Sequence, residues 1–332
     1  MRVEMHHSLE INAMAMPSHD QCCTICASKD YEVIVTSEIA ALKIYKVLCR
    51  ECGLIYTRPM PTFEEYKEYF YNARINEAKA KIHLRRIYRS ALRSIPRYNR
   101  VKALLKHCND VLDASAGTGE FVALLKMKGK NATGLSFYES QVNYAAAEYG
   151  VTLECGLIEE VDFPKNSLDL ILDHHSLHLQ YNPRLVLTMY HKMLRDGGYI
   201  NIEVPNIEAE QLTSSQKLRA KHLYAFNLHS LLTLGRQHGF EVYNTIIIPG
   251  SQHINTIWRK GAVLTVPSAK SIRNYLEVRN AVKGYRRLHY LFSSSTYKKI
   301  FHKIEKYLRE RHAAKQFKCG QEIIQHLFGG IR

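Results

Sequence analysis

The feature that most limits how this chain can fold is a regular alternation of short apolar runs and helical patterns that begins at Asp110. Strands are expected over residues 111–114, 132–135, 151–154, 168–172 and 199–204, with helices over 119–128, 140–149, 183–194 and 228–238 between and after them. Parallel neighbours need a crossover connection, so this rhythm demands a doubly wound α/β sheet rather than a sandwich or barrel of hairpins. Two more β-rich runs, 241–248 and 253–258, flank Pro249-Gly250 and read as an antiparallel pair. The expectation is a seven-stranded Rossmann-like sheet over residues 109–261, closed by a hairpin.

The first strand runs into Asp113-Ala114-Ser115-Ala116-Gly117-Thr118-Gly119, which opens a helix. Glycine lets the backbone approach a ligand closely, and the helix start offers unpaired N–H groups to an anion. A tight structural turn without a ligand is the competing reading of this segment alone.

Ahead of this domain stand Cys23-x-x-Cys26 and Cys49-x-x-Cys52, separated by 22 residues around two β-rich runs. Two such pairs bring four thiolates to one tetrahedral ion, a closed structural arrangement with no open position for catalysis. A zinc-ribbon module over residues 19–62 is expected, with Zn2+ supplying folding energy that so small a core lacks. Cys22 adjoins Cys23 and competes for the ion, but Cys23 gives the tight knuckle. Cys108, Cys155 and Cys319 are scattered and read as ordinary small apolar residues. Residues 63–108 form a helical linker, with Pro96 expected to break it between helices at 73–92 and 98–107.

Charge divides the chain differently. The net charge is +15, and from Arg259 to Arg332 seventeen Lys and Arg face four acids, a local balance of +13. Residues 262–332 therefore read as a basic helical extension, with helices over 269–290 and 296–315. Tyr297, Ile300, Phe301, Ile304 and Leu308 recur at helical spacing on one face. Three partners suit such a surface: an anionic membrane, a nucleic acid, or the rest of this chain or a second subunit through the apolar face. No apolar run reaches bilayer length, and residues 1–18 lack the apolar centre of a secretory signal. A cytoplasmic protein, free or peripheral at a membrane, is expected.

From Cys23 to Gly261 the chain resembles bacterial S-adenosylmethionine-dependent methyltransferases in which a zinc ribbon precedes a class I catalytic domain. The matching pieces are Cys49-Arg50-Glu51-Cys52-Gly53-Leu54-Ile55-Tyr56 with Pro59 and Pro61, Val111-Leu112-Asp113, and Gly117-x-Gly119-Glu120-Phe121. Further along they are Ser167-Leu168-Asp169-Leu170-Ile171, Pro183 with Leu194 and Gly197-Gly198, Glu203-Val204-Pro205-Asn206, His222-Leu223-Tyr224-x-Phe226, and Gly239-Phe240. The resemblance implies S-adenosylmethionine as cofactor, held by Asp113, Ser115, Gly117, Gly119, Ser136, Phe137, Leu157 and Asp173. It also implies a small-molecule or glycan-precursor acceptor, with O-methylation favoured over transfer to carbon or nitrogen.

His222 matches a histidine of that family and is the first candidate for base or substrate contact. His175 and His178 follow the fourth strand, beside the switch point where such sheets bind ligands, and are the other candidates. For each, a loop histidine making a structural hydrogen bond is the alternative. Three positions depart from the family pattern: Ser115 where glycine is usual, Ser136 where an acid holds the cofactor ribose, and Leu179 where a histidine often stands. These departures keep open a methyltransferase-like protein with altered or lost catalysis. Charge alone suggests a third reading, an RNA methyltransferase.

Overall fold

The central sheet has seven strands: β4 (Asp110–Asp113), β5 (Asn131–Ser136), β6 (Leu153–Cys155), β7 (Leu168–His174), β8 (Leu194–Pro205), β10 (Phe240–Ile246) and β11 (His253–Lys260). Their spatial order is β10-β11-β8-β7-β4-β5-β6. The core strands pair in parallel, whereas β11 is inserted antiparallel between β8 and β10. In this computed structural model, residues 22–39, 42–68, 82–209, 218–246, 252–263, 269–283 and 294–331 are described. The expected turn at Pro249-Gly250, the stretch 1–18, helix portions at 69–81 and 284–290, and the side chains of Tyr297 and Ile300 lie outside the described residues.

Alternation along the strands assigns the two faces. Val111, Leu170 and Leu172 pack on one side, and Leu112, Ile171, Ile200 and Ile202 on the other. Strands buried on both faces read as unbroken apolar runs, which is why the sequence pattern was so clear. Helices α1 (Leu84–Val101), α2 (Glu120–Met127) and α3 (Glu139–Tyr149) cover the first face. The second face is covered by α4 (Pro183–Met193) and α5 (Leu228–Gln237).

Pro96 does not end the linker helix; it lies inside α1. Proline removes one backbone hydrogen bond, here to Leu92, on the exposed side of the helix. Ile87, Ala91, Ser94, Tyr98 and Val101 are buried along the opposite stripe. Burial of that stripe against the sheet outweighs one missing bond, an outcome that local propensity does not foretell.

The N-terminal strands β1 (Tyr31–Ile39), β2 (Leu42–Cys49) and β3 (Ile55–Arg58) form an antiparallel sheet that does not stop at residue 62. A short strand that follows β8 in the chain, β9 (Tyr224–Ala225), adds to its edge, pairing with Tyr56 and Ile55. Cys23, Ile44, Val47 and Tyr56 share one apolar core with Val186, Tyr190 and Leu231.

The basic extension divides among its neighbours. Helix α6 (Ile272–Lys283) lies on the Cys-containing sheet, with Val278 and Val282 buried against Leu48 and Ile55. Asn274 donates to the carbonyl of Cys52 at 2.7 Å and approaches Gly53 so closely that a side chain at Gly53 (φ +78°) would collide with it. Helix α7 (Ser294–Ala314) leads to α8 (Gly320–Phe328), whose Ile323, Ile324 and Phe328 are buried in the core under α1 and α2. The α8 helix begins where the backbone N–H of Gly320 donates to Glu148 at 2.7 Å.

Candidate active site

Strands β4 and β7 are neighbours, and the chain leaves their carboxyl ends toward opposite faces of the sheet: β4 to α2, β7 to α4. That divergence opens a crevice at the switch point. Asp113 ends β4, fully buried, and accepts from the Ser115 N–H at 3.1 Å, which sets the turn. Burial raises its carboxyl to about 6. Ser115 Oγ donates to the His174 carbonyl at 2.8 Å and lies 3.2 Å from the His174 N–H, tying the glycine loop to the end of β7. Its side chain is thereby turned toward β7.

Gly117 (φ +55°) has open space where a side chain would project, so its backbone is bare toward the crevice. Gly119 (φ +87°) precedes α2. The buried Glu120 carboxylate accepts from Thr118 at 2.6 Å and from Ser90 of α1 at 2.8 Å, fastening α1 over the loop. Between them lies a cavity of about 210 Å³ lined by Asp113, Ser115, Ala116, Gly117, Thr118, Phe121, Gln141 and by Arg86, Arg89, Arg93 and Arg97 of α1. An amino-acid carboxylate fits this donor set: exposed loop backbone on one side and guanidinium groups on the other.

The remaining residues expected at the cofactor are placed differently. Ser136 is buried and donates to Gln141 Oε1 at 2.8 Å, so Gln141, and not Ser136, presents a side chain to the cavity. Phe137 is partly buried and Leu157 buried, and neither lines that cavity. Asp173 accepts from the N–H groups of Ser176 and Leu177, at 3.2 and 3.1 Å, and from the Tyr190 hydroxyl at 3.0 Å. It shapes the turn after β7 from beneath, and burial raises its carboxyl to about 6.

That turn holds the histidines. His175 adopts a left-handed backbone (φ +65°), uncommon for a residue with a side chain. A second cavity, of about 620 Å³, brings His175, His178 and His222 together with His253, Glu203, Arg93, Arg97, Arg100, Arg219 and Lys221. His178 and His222 meet edge to face with ring centroids 4.5 Å apart, and His175 meets His253 at the same distance. Burial, then Lys221 and Arg219, press His222 down to about 3, and burial followed by His222 holds His178 well below the usual histidine range. Both rings are therefore neutral near pH 7, and the buried Nδ1 of His178 has no hydrogen-bond partner among the described residues. Burial alone would raise Glu203, yet His175, Arg97 and Arg100 hold its carboxyl well below the usual range.

The loop carrying His222 is fixed by the Cys-containing sheet. Lys46 of β2 is buried, which pushes its ammonium down to about 7. It donates to the carbonyls of His222 and Ala220 and to Thr57 Oγ1. The Thr57 N–H donates to Leu223 at 2.9 Å. In the same sheet the sulfurs of Cys23, Cys26, Cys49 and Cys52 all lie within 4.8 Å of one another. Tetrahedral coordination at about 2.3 Å per thiolate needs sulfurs just under 4 Å apart, so this four-cysteine cluster can hold a metal ion.

A family model described as a methyltransferase domain matches residues 79–245, half of the chain. The chain belongs to the methyltransferase-domain family. A curated protein of Mycolicibacterium smegmatis, a probable S-adenosylmethionine-dependent methyltransferase, is 25% identical over 138 residues, 41% of this chain and 54% of that protein. The chain thus spans about half the length of the curated relative it matches. Among solved structures, the 1,6-didemethyltoxoflavin-N1-methyltransferase of Burkholderia thailandensis, with 1,6-didemethyltoxoflavin and S-adenosylhomocysteine bound, is 20% identical, with a TM-score of 0.46 over 68% of this chain and 99% of its own. A SAM-dependent methyltransferase of Thermotoga maritima is 22% identical, with a TM-score of 0.41 over 59% and 95%.

The sequence alone did not point to the arginine row of α1, Gln141, His253 or Lys46, and it marked Glu203 only within a motif of the resemblance, with no site role. The row was detectable: Arg86, Arg89, Arg93, Arg97 and Arg100 follow helical spacing, but a helix ended at Pro96 hides it. Nothing local marks Lys46, whose carbonyl partners, Ala220 and His222, are more than 170 residues away.

Proposed function

We propose that this methyltransferase-family chain transfers a methyl group from S-adenosylmethionine to a hydroxyl of a small molecule or glycan precursor, and that its four-cysteine cluster holds a structural zinc ion. The observation that carries the catalytic reading is the meeting of the two cavities. The bare backbone at Gly117 opens on one side, and the neutral His178–His222 pair stands on the other, with Arg93 and Arg97 lining both. The bound cofactor would supply the electrophilic methyl. Arg86, Arg89 and the loop backbone would hold its carboxylate, and Gln141 would stand where an acid more often meets the ribose. A neutral histidine can accept the proton that an acceptor hydroxyl gives up as its oxygen gains the methyl. In-line placement is the larger part of the task, and it is served by a glycine loop pinned at Ser115 and Glu120 and a His222 loop pinned by Lys46.

A methyltransferase-like binding protein remains the second reading, because Ser136 stands where the family has an acid for the ribose and is turned toward Gln141. Titration calorimetry with S-adenosylmethionine and S-adenosylhomocysteine, followed by transfer of labelled methyl to a panel of hydroxylated acceptors, separates the two. Binding with transfer supports the enzyme, and binding without transfer to any acceptor supports the second reading. No heat with either ligand at millimolar concentration rejects both.

A further inference from the structure

We infer that the larger cavity is an anion subsite and that the methyl acceptor carries a phosphate or diphosphate group; this rests on the enzymatic reading above. Five cationic side chains, Arg93, Arg97, Arg100, Arg219 and Lys221, line this space against one carboxylate, Glu203. They arrive from two separate segments, α1 and the loop before His222, so they converge on the cavity rather than forming one solvated face.

Glu203 orders the cluster more than it neutralises it. One of its oxygens takes Arg97 at 3.1 Å and the other takes Arg100, and the side chains of both arginines are less than one-fifth exposed. Each guanidinium has five N–H donors, so both forks are held in place with donors to spare. The Arg93 side chain makes no hydrogen bond or ion pair among the described residues, and after burial it is the neighbouring Arg89 and Arg97 that disfavour its charge. Crowded like charges of this kind are relieved by a multivalent anion.

The cofactor carboxylate does not account for the cluster. Arg86 and Arg89 line only the glycine-loop cavity, whereas Arg100, Arg219 and Lys221 line only the larger one. A single acceptor carboxylate would also leave most of the charge unbalanced, whereas a phosphate group carries up to two charges and three oxygens matched to guanidinium forks. The histidine pair His178–His222 borders the same space, so an acceptor anchored there by phosphate would present its hydroxyl beside a neutral imidazole.

The test is calorimetric titration of the full chain with inorganic pyrophosphate, inorganic phosphate and acetate, with and without S-adenosylhomocysteine. Pyrophosphate is expected to bind more tightly than phosphate, acetate not measurably, and the affinity is expected to fall with salt. The double variant Arg219→Ala/Lys221→Ala, altered at two exposed loop positions, is expected to weaken pyrophosphate about 10-fold or more and to leave S-adenosylhomocysteine unchanged. Arg93→Ala is expected to weaken pyrophosphate as well. Absence of pyrophosphate binding at 10-fold above millimolar concentration, or binding indifferent to both variants, overturns the proposal. Loss of S-adenosylhomocysteine binding in the unaltered protein would instead overturn the enzymatic reading, whatever pyrophosphate does.

Discussion

The two additions to the seven-stranded sheet are attached with a different balance of polar and apolar contacts. The Cys-containing sheet joins through backbone pairing with β9, through shared apolar core, and through a buried ammonium that donates to the carbonyls of Ala220 and His222. The C-terminal pair joins mainly through apolar burial of α8, with two polar attachments, the Gly320 N–H on Glu148 and the Arg85–Glu310 pair at 3.4 Å, while Phe301, Ile304 and Leu308 of α7 are 71, 51 and 55% exposed. Hydrogen bonds fix position to a fraction of an ångström, whereas apolar burial is non-directional and fixes association. The N-terminal addition is therefore able to set the position of the His222 loop, and the C-terminal one chiefly adds stability.

The largest test of that contrast is removal of the proposed metal. Chelation, or Cys49→Ser, is expected to unfold the Cys-containing sheet and lower methyl transfer about 100-fold or more, because structural zinc sites supply folding energy outright. Metal content by elemental analysis and turnover on the same sample check it. Full turnover in metal-free protein would break the comparison.

Next is Phe328→Ala in α8. It is expected to cost about 3 kcal/mol of unfolding free energy, as for other fully buried aromatic residues, with kcat unchanged at a temperature where the variant is folded. Denaturant titration and turnover measure the two parts, and a matching fall in kcat would place α8 in the catalytic geometry after all.

Lys46→Met is expected to cost about 2 kcal/mol in stability, since it leaves buried carbonyls unpaired, and to lower kcat about 10-fold through the loosened His222 loop. Affinity for S-adenosylhomocysteine should not change. A stability loss without a kcat loss would mean that the sheet supports the loop without positioning it.

A subtler effect concerns pH. His222 is held at about 3 in the folded chain, against about 6.5 when unfolded. Between those values the unfolded chain binds a proton that the folded chain does not. This contribution is complete above pH 6.5 and is lost as pH falls toward 3, by at most about 1.4 kcal/mol per pH unit. His222→Gln should therefore flatten the acid side of the stability curve, and equal slopes in the two proteins would contradict the buried, neutral histidine. Smallest of all, Leu308→Ser on the exposed face of α7 should change stability by less than about 0.5 kcal/mol. A larger loss in dilute solution would show that this face is covered.

The sequence by itself determined the central sheet, the glycine loop and the two Cys-x-x-Cys pairs. Each is encoded locally, by strand-length apolar runs, by glycine at positive φ, and by two-residue spacing of thiols. It also indicated His175, His178 and His222 as neighbours of the crevice, though not that two of them would be pressed into a neutral pair. Tertiary structure alone decided that α1 runs through Pro96 and carries its arginines across both cavities, and that Ser136 passes its place in the crevice to Gln141. It alone seated Lys46 beneath the His222 loop. In each case the deciding energy is burial or a hydrogen bond between segments far apart in the chain, and no local pattern carries that information.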